Sequence, residues 1–134
     1  MIRILLVDDH ELVRRGVAEL LESETDLVVV SEAGSVTEAL RCAARVDADV
    51  AVLDVRMPDG DGIELCRELR DRLPALRCLV LTSDDATRAD AIRAGAAGFL
   101  LKQVLGLTLV DAVRAVASGG SFLDGDGPEM VDHR

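Results

Sequence analysis

The chain has 134 residues, 49% of them hydrophobic and 30% charged, which suits one soluble globular domain with a sizeable core and excludes a disordered segment. Its net charge of −10 is spread along the chain, so no basic face is offered to phosphates and no nucleic-acid contact through this segment is expected. The N-terminal apolar run meets Asp8-Asp9 too soon for a signal-peptide core, and no apolar stretch reaches membrane-span length, so a cytoplasmic domain with no membrane contact is the expectation.

Ile2–Val7 is a short β-branched apolar run that reads as a first strand and stops at Asp8-Asp9-His10. From Glu11 the period becomes helical, with Leu12, Gly16, Val17, Leu20 and Leu21 expected on the buried side. Residues 27–30 are strand-like. Ser35-Val36-Thr37-Glu38 then reads as a capping box in front of a helix whose stripe is Val36, Ala39, Leu40 and Ala43. Residues 49–53 read as a strand in which residues 50–53 are a continuous apolar run of the kind buried parallel strands show, and Asp54 closes it. Asp61-Gly62-Ile63-Glu64 starts another helix, backed by Ile63, Leu65, Cys66, Leu69 and Leu73 and ended by Pro74.

Residues 77–81 give a fourth strand, followed by Thr82-Ser83. Residues 86–95 look helical but poor in anchors, Ile92 being their one large apolar side chain. Residues 97–101 give a fifth strand ending at Lys102. Leu107–Ala117 is a last helix, stopped by Gly119-Gly120, and residues 121–134 read as linker or tail after a domain of residues 1–120. Five alternations of strand and helix predict an α/β fold with a parallel sheet covered on both faces. Cys42, Cys66 and Cys78 lack the spacing of a metal or disulfide framework and read as buried thiols.

The polar ends of these strands fall on one sheet edge: Asp8 and Asp9 after the first, Asp54 after the third, Thr82 after the fourth, Lys102 after the fifth. Open α/β sheets place ligands at that edge. Three clustered carboxylates repel one another unless a cation joins them, and an all-oxygen acidic pocket suits Mg²⁺. Lys102 is the single lysine among fifteen basic residues, a mobile point charge in a chain that otherwise uses arginine. A carboxylate nucleophile with a hard cation, an ammonium and a hydroxyl is the equipment of phosphoryl transfer.

The runs Leu6-Val7-Asp8-Asp9-His10, Leu53-Asp54-Val55-Arg56-Met57-Pro58-Asp59-Gly60, Leu81-Thr82-Ser83 and Phe99-Leu100-Leu101-Lys102 resemble, in order and spacing, the four motifs of a response-regulator receiver domain. The resemblance covers residues 2–118. Gly62-Ile63-Glu64-Leu65-Cys66-Arg67 adds a likeness to NarL/FixJ (LuxR-type) two-component transcriptional regulators, with actinobacterial dormancy regulators the nearest suggestion.

The resemblance implies a flavodoxin-like (βα)5 fold, a doubly wound five-stranded parallel sheet in the order 2-1-3-4-5. It implies that Asp54 accepts a phosphoryl group from a sensor histidine kinase. Asp9, Asp8 (chiefly through water), Asp54 and the Arg56 carbonyl would ligate Mg²⁺. Lys102 would meet the phosphoryl oxygens, and Thr82 and Phe99 would switch. The domain would be no enzyme beyond its own phosphoryl transfer and dephosphorylation. DNA would be bound by a helix-turn-helix domain outside this chain, and phosphorylation would favour a homodimer. One departure is Gln103, where the family commonly has a proline; it puts the usual geometry of the loop after the fifth strand in question.

Other readings fit less well. A haloacid-dehalogenase-type phosphatase wants a second acid two residues after its nucleophile, where this chain has Arg56. A nucleotide-binding flavodoxin-like module wants a Gly/Ser/Thr loop where Asp8-Asp9 stands, and a pseudo-receiver would lack part of the intact acid, hydroxyl and lysine set. A stand-alone receiver acting by protein contact remains the alternative to the receiver half of a longer regulator. His10 reads as a helix-start residue. Asp59-Gly60-Asp61-Gly62 and Asp124-Gly125-Asp126-Gly127 read as turns, since neither has the ligand pattern of an EF-hand. In the last helix Leu105, Leu109, Val110, Ala112, Val113, Val116 and Ala117 span a wide apolar arc, either a broad core face or a dimerisation patch.

Overall fold

A computed structural model describes residues 1–104 and 106–123. Strands β1 (Ile2–Val7), β2 (Leu27–Ala33), β3 (Val50–Asp54), β4 (Arg77–Thr82) and β5 (Gly98–Leu101) alternate with helices α1 (Glu11–Glu22), α2 (Val36–Arg45), α3 (Gly62–Arg72), α4 (Arg88–Arg93) and α5 (Leu107–Ala117). A sixth strand, β6 (Phe122–Leu123), follows. The sheet order is β2-β1-β3-β4-β5-β6, and every pairing is parallel. The expected order of the first five strands is therefore the observed one. The number of strands is corrected to six, because Phe122 donates its N–H to the Ala97 carbonyl (3.0 Å) and sets a short edge strand inside the stretch expected as linker. Residues 124–134, with the second Asp-Gly pair, lie outside the described residues.

The sheet is buried on both faces, as its continuous apolar runs require. β3 has all five residues buried. On one face Leu5, Leu53, Val80 and Phe99 pack against α2, α3 and α4 through Ala39, Cys66, Leu69 and Ala91. On the other, Ile4, Val52, Leu79 and Leu100 pack against α1 and α5 through Val17, Leu21, Leu109 and Val113.

Two expectations about helix faces are corrected and one open alternative is settled. In α1 the buried residues are Val17, Ala18 and Leu21, whereas Leu12 is 86% exposed and Gly16 is exposed too. The inner position one turn earlier belongs to Arg14, so the stripe runs Arg14, Val17, Ala18, Leu21 at helical spacing. Residues 86–95 split into a 3₁₀ turn, Asp85–Thr87, and the six-residue α4, in which Ala91 is buried and Ile92 faces solvent. In α5 Leu109, Val110, Ala112, Val113 and Val116 are buried against the sheet, so the wide arc is core and these side chains form no surface patch. Leu105, expected beside them, lies outside the described residues. Cys66 and Cys78 are buried and Cys42 half-buried, all as free thiols.

Candidate functional site

Because all strands run parallel, their carboxyl ends open on one edge, and β1, β3, β4 and β5 stand side by side there. Asp54 is the last residue of β3 and pairs in register with Leu81, one residue before Thr82. Asp8 follows β1 directly. Lys102 follows β5 and reaches back across the edge, its Nζ 3.3 Å from Asp54 Oδ1 and 3.6 Å from Asp8 Oδ2. Asp8, Asp54 and Thr82 are all buried polar residues. Asp8, Asp54 and Lys102 thus come together across the ends of β1, β3 and β5.

The charges explain the geometry. Burial pushes the Asp54 carboxyl above its ordinary range; Lys102 pulls it down, the neighbouring Asp8 pushes it up again, and the Arg56 backbone N–H stabilises the anion. One ammonium thus faces two buried carboxylates, Asp8 and Asp54, with the exposed Asp9 next along the chain. Asp9 is exposed, and its nearest ionic neighbour is His10, whose Nδ1 is 3.9 Å away. Asp8, Asp9 and His10 could each present one ligand atom to a common point. An oxygen-rich pocket with excess negative charge fits a hard dication, and the residues that would hold it are Asp9, Asp8 and Asp54, with the Arg56 carbonyl close in sequence. The Arg56 side chain is exposed. His10 is the N-cap residue of α1, without a side-chain cap bond; its N–H donates to Asp8 Oδ1 (2.9 Å).

Thr82 is buried at the end of β4, and its Oγ1 accepts from the Asp84 N–H (3.1 Å). Phe99 is fully buried in the sheet face covered by α3 and α4. After Lys102 the chain makes a 3₁₀ turn, Lys102–Val104, with no cis peptide among the described residues. The Gln103 amide there donates to the Ser83 carbonyl (3.2 Å), tying the loop after β5 to the loop after β4.

Three contributors were not read from the sequence. Asp59 caps α2 from a distance: its carboxylate accepts from the N–H of Val36 (2.8 Å), from the N–H of Thr37 (3.1 Å) and from the Thr37 hydroxyl (2.8 Å). These bonds hold its carboxyl below the usual range. The capping box itself forms with a shift, since Ser35 Oγ accepts from Glu38 N–H while Glu38 accepts from Gly34 N–H. Gly62 opens α3 directly against the acceptor: a Cβ at this position would overlap the Asp54 carbonyl. Arg14 is the third, with Nη1 2.6 Å from the Asp8 carbonyl oxygen and Nε 3.0 Å from Glu32 Oε1. Its sequence signal was a basic residue standing at the inner helical spacing.

A buried acid, a second acid and a lysine thus stand at the carboxyl edge of a doubly wound parallel sheet, the edge at which open α/β sheets place their ligands. The response regulator receiver domain family matches residues 4–114, and the chain belongs to it. It is 54% identical over 126 residues to the DNA-binding transcriptional activator DevR/DosR of Mycobacterium tuberculosis, covering 92% of this chain and 58% of that protein. It superposes with a LuxR-family two-component response regulator from Aurantimonas sp. SI85-9A1 at a TM-score of 0.87 and 36% identity, over 92% of this chain and 90% of that one. The signal receiver domain of the response regulator NarL from Mycobacterium tuberculosis gives a TM-score of 0.84 at 37% identity, over 88% and 97% of the two chains. The receiver is of the NarL/LuxR type. The chain spans about three fifths of the length of the curated relatives it matches.

Proposed function

We propose that the chain is a phosphoacceptor switch of a two-component system, in which an Asp54 carboxylate oxygen takes a phosphoryl group from a phosphohistidine of a sensor histidine kinase. The observation that carries this reading is the buried Asp54 with Lys102 Nζ 3.3 Å away and Asp8 3.6 Å from the same ammonium. As the oxygen–phosphorus bond forms and the phosphorus–nitrogen bond breaks, Lys102 can leave Asp8 and pair with a phosphoryl oxygen. The Thr82 hydroxyl, released from the Asp84 N–H, can do the same, and Phe99 would respond as the aromatic switch. Mg²⁺ held by Asp9, Asp8, Asp54 and the Arg56 carbonyl would supply charge neutralisation for the incoming phosphate.

The domain acts as a switch and catalyses only its own phosphorylation and dephosphorylation, in the cytoplasm; no helix among the described residues is long and apolar enough to cross a membrane. Its output is control of transcription, by homodimerisation and through a DNA-binding domain outside this chain. That part of the reading draws on the likeness to a DNA-binding activator and on the fraction of it that this chain spans. The test is incubation with acetyl phosphate and Mg²⁺. One acid-stable, alkali-labile phosphate per chain, absent from Asp54→Ala, is the expected result. Label retained in Asp54→Ala would overturn the assignment. A phosphorylated protein that stays monomeric in sedimentation would remove the dimer from the proposal and leave the acceptor intact.

A further inference from the structure

We infer that Arg14 is a positioning residue for the acidic pocket, fixing the Asp8–Asp9 turn in the form that takes up a divalent cation. The inference rests on the reading of the pocket as a Mg²⁺-dependent acceptor site. It starts from an oddity of α1: the inner position nearest the pocket is given to a guanidinium whose side chain is 15% exposed. Such a group must be paired, because burying an unpaired charge is costly. Arg14 has two partners, one on β2 and one just past the end of β1. Nε meets Glu32 on β2 at 3.0 Å, and Nη1 meets the Asp8 carbonyl at 2.6 Å. The backbone leaves room for this fork at Gly34, where a Cβ would lie 3.3 Å from Nη1.

The Asp8 carbonyl and the Asp9 N–H belong to one rigid peptide plane. Holding that oxygen therefore sets the plane from which Asp9 begins. The rest of Asp8 is fixed as well: its N–H donates to the Ala33 carbonyl (3.0 Å), Oδ1 accepts from His10 N–H (2.9 Å), and Oδ2 faces Lys102 Nζ (3.6 Å). Asp9, exposed and outside this net, keeps its carboxylate for the cation. The division of labour follows: Asp8 is anchored, Asp9 binds, and Arg14 joins the anchor to the sheet edge at Glu32.

Charge alone would act in the opposite direction, since a guanidinium near a cation site repels the cation. The sign of the effect therefore separates positioning from electrostatics. Arg14→Lys keeps the charge but not the two-pronged fork, since an ammonium cannot supply the planar, pre-organised pair of donors. Direct calorimetric titration of the full chain with Mg²⁺ should show Arg14→Lys binding about 10-fold more weakly than wild type, the loss typical when a group that orients a metal ligand is removed. Arg14→Met should also bind more weakly, although it removes a positive charge. The Mg²⁺ concentration for half-maximal acetyl-phosphate labelling should rise by the same factor. Circular dichroism checks that each variant is folded. Should Arg14→Met fail to fold, Arg14→Lys decides the question, with Glu32→Gln, which frees one prong of the fork, giving a smaller loss of the same sign. Unchanged or tighter Mg²⁺ binding in Arg14→Lys overturns the inference. Wild-type protein that neither binds Mg²⁺ nor labels overturns the acceptor reading instead.

Discussion

The two loops beside the acceptor are built in opposite ways. The segment after β3 is bound at every turn. Arg56–Met57 pairs with Gly60–Asp61 in a small antiparallel ladder, Asp59 is hydrogen-bonded to the start of α2, Asp61 caps α3 through the Ile63 N–H (2.7 Å), and Gly62 lies against the Asp54 backbone. The segment after β4 has far less to hold it. Its 3₁₀ turn buries no residue, Thr87 at the N-cap of α4 makes no side-chain cap bond, and the one buried side chain within α4 is Ala91. Its local ties include the Asp84 N–H bond to Thr82 Oγ1 (3.1 Å), the Asp84 carboxylate bond to Ala86 N–H, the Thr87 hydroxyl bond to the Asp84 carbonyl (2.9 Å) and the Gln103 bond to Ser83, and most of these involve exposed side chains. The contrast teaches where a conformational change can start. The acceptor is fixed, and the give in the site lies on the hydroxyl side, because elements with few buried apolar contacts open most easily.

The largest test of the rigid side is Gly62→Ala. The added methyl would run into the Asp54 carbonyl, so the helix start or the strand end must shift, and urea denaturation should show a loss of about 3 kcal/mol. A near-neutral Gly62→Ala would mean that the loop yields after all, and the contrast would fail. Next comes the strain of the acceptor itself. Burial holds the Asp54 carboxyl above its ordinary pKa of 3.8, so the folded state binds that proton more firmly than the unfolded chain. Stability from this group is therefore fullest below 3.8 and falls as pH rises through the raised folded value, leaving a deficit at neutral pH. Asp54→Asn should be more stable than wild type at neutral pH, because it removes the buried charge that burial disfavours. The gap should close in acid; a gap independent of pH would assign the effect to something other than ionisation.

The smallest effect belongs to the loose side. Ile92→Ala should change stability by no more than about 0.5 kcal/mol, because the side chain already faces solvent. Native-state hydrogen exchange should find α4 amides exchanging well before those of α3. Equal protection of the two helices would remove the contrast from which the switching argument starts.

Much of this layout could be read from residue order. Continuous apolar runs marked the buried strands, and an acid, hydroxyl or lysine ended four of them, so the edge that gathers Asp8, Asp54, Thr82 and Lys102 followed once the sheet was parallel. Strand order needed the family likeness, since alternation alone does not say which strands touch. The α1 face was misread because Leu12 and Arg14 were judged by polarity; burial follows partners, and Glu32 and the Asp8 carbonyl are distant in sequence. Asp59 was read as a turn residue for a similar reason, its hydrogen bonds reaching back to α2 across more than twenty residues. The two-residue β6 was too short to show a period, and only its pairing with β5 gives it an identity.

That last strand has a mechanical meaning. Leu123 is the register partner of Phe99, and β6 runs in the same direction as β5, toward the edge where Lys102 stands. The chain therefore passes its final described residue as a thread laid alongside the very strand that carries the buried ring. A pull on the thread loads the Phe122–Ala97 hydrogen bond in shear, and a sideways displacement of β5 is felt by this two-residue clasp. Tension and position are exchanged at a point one strand away from Phe99, with no intervening helix to absorb them.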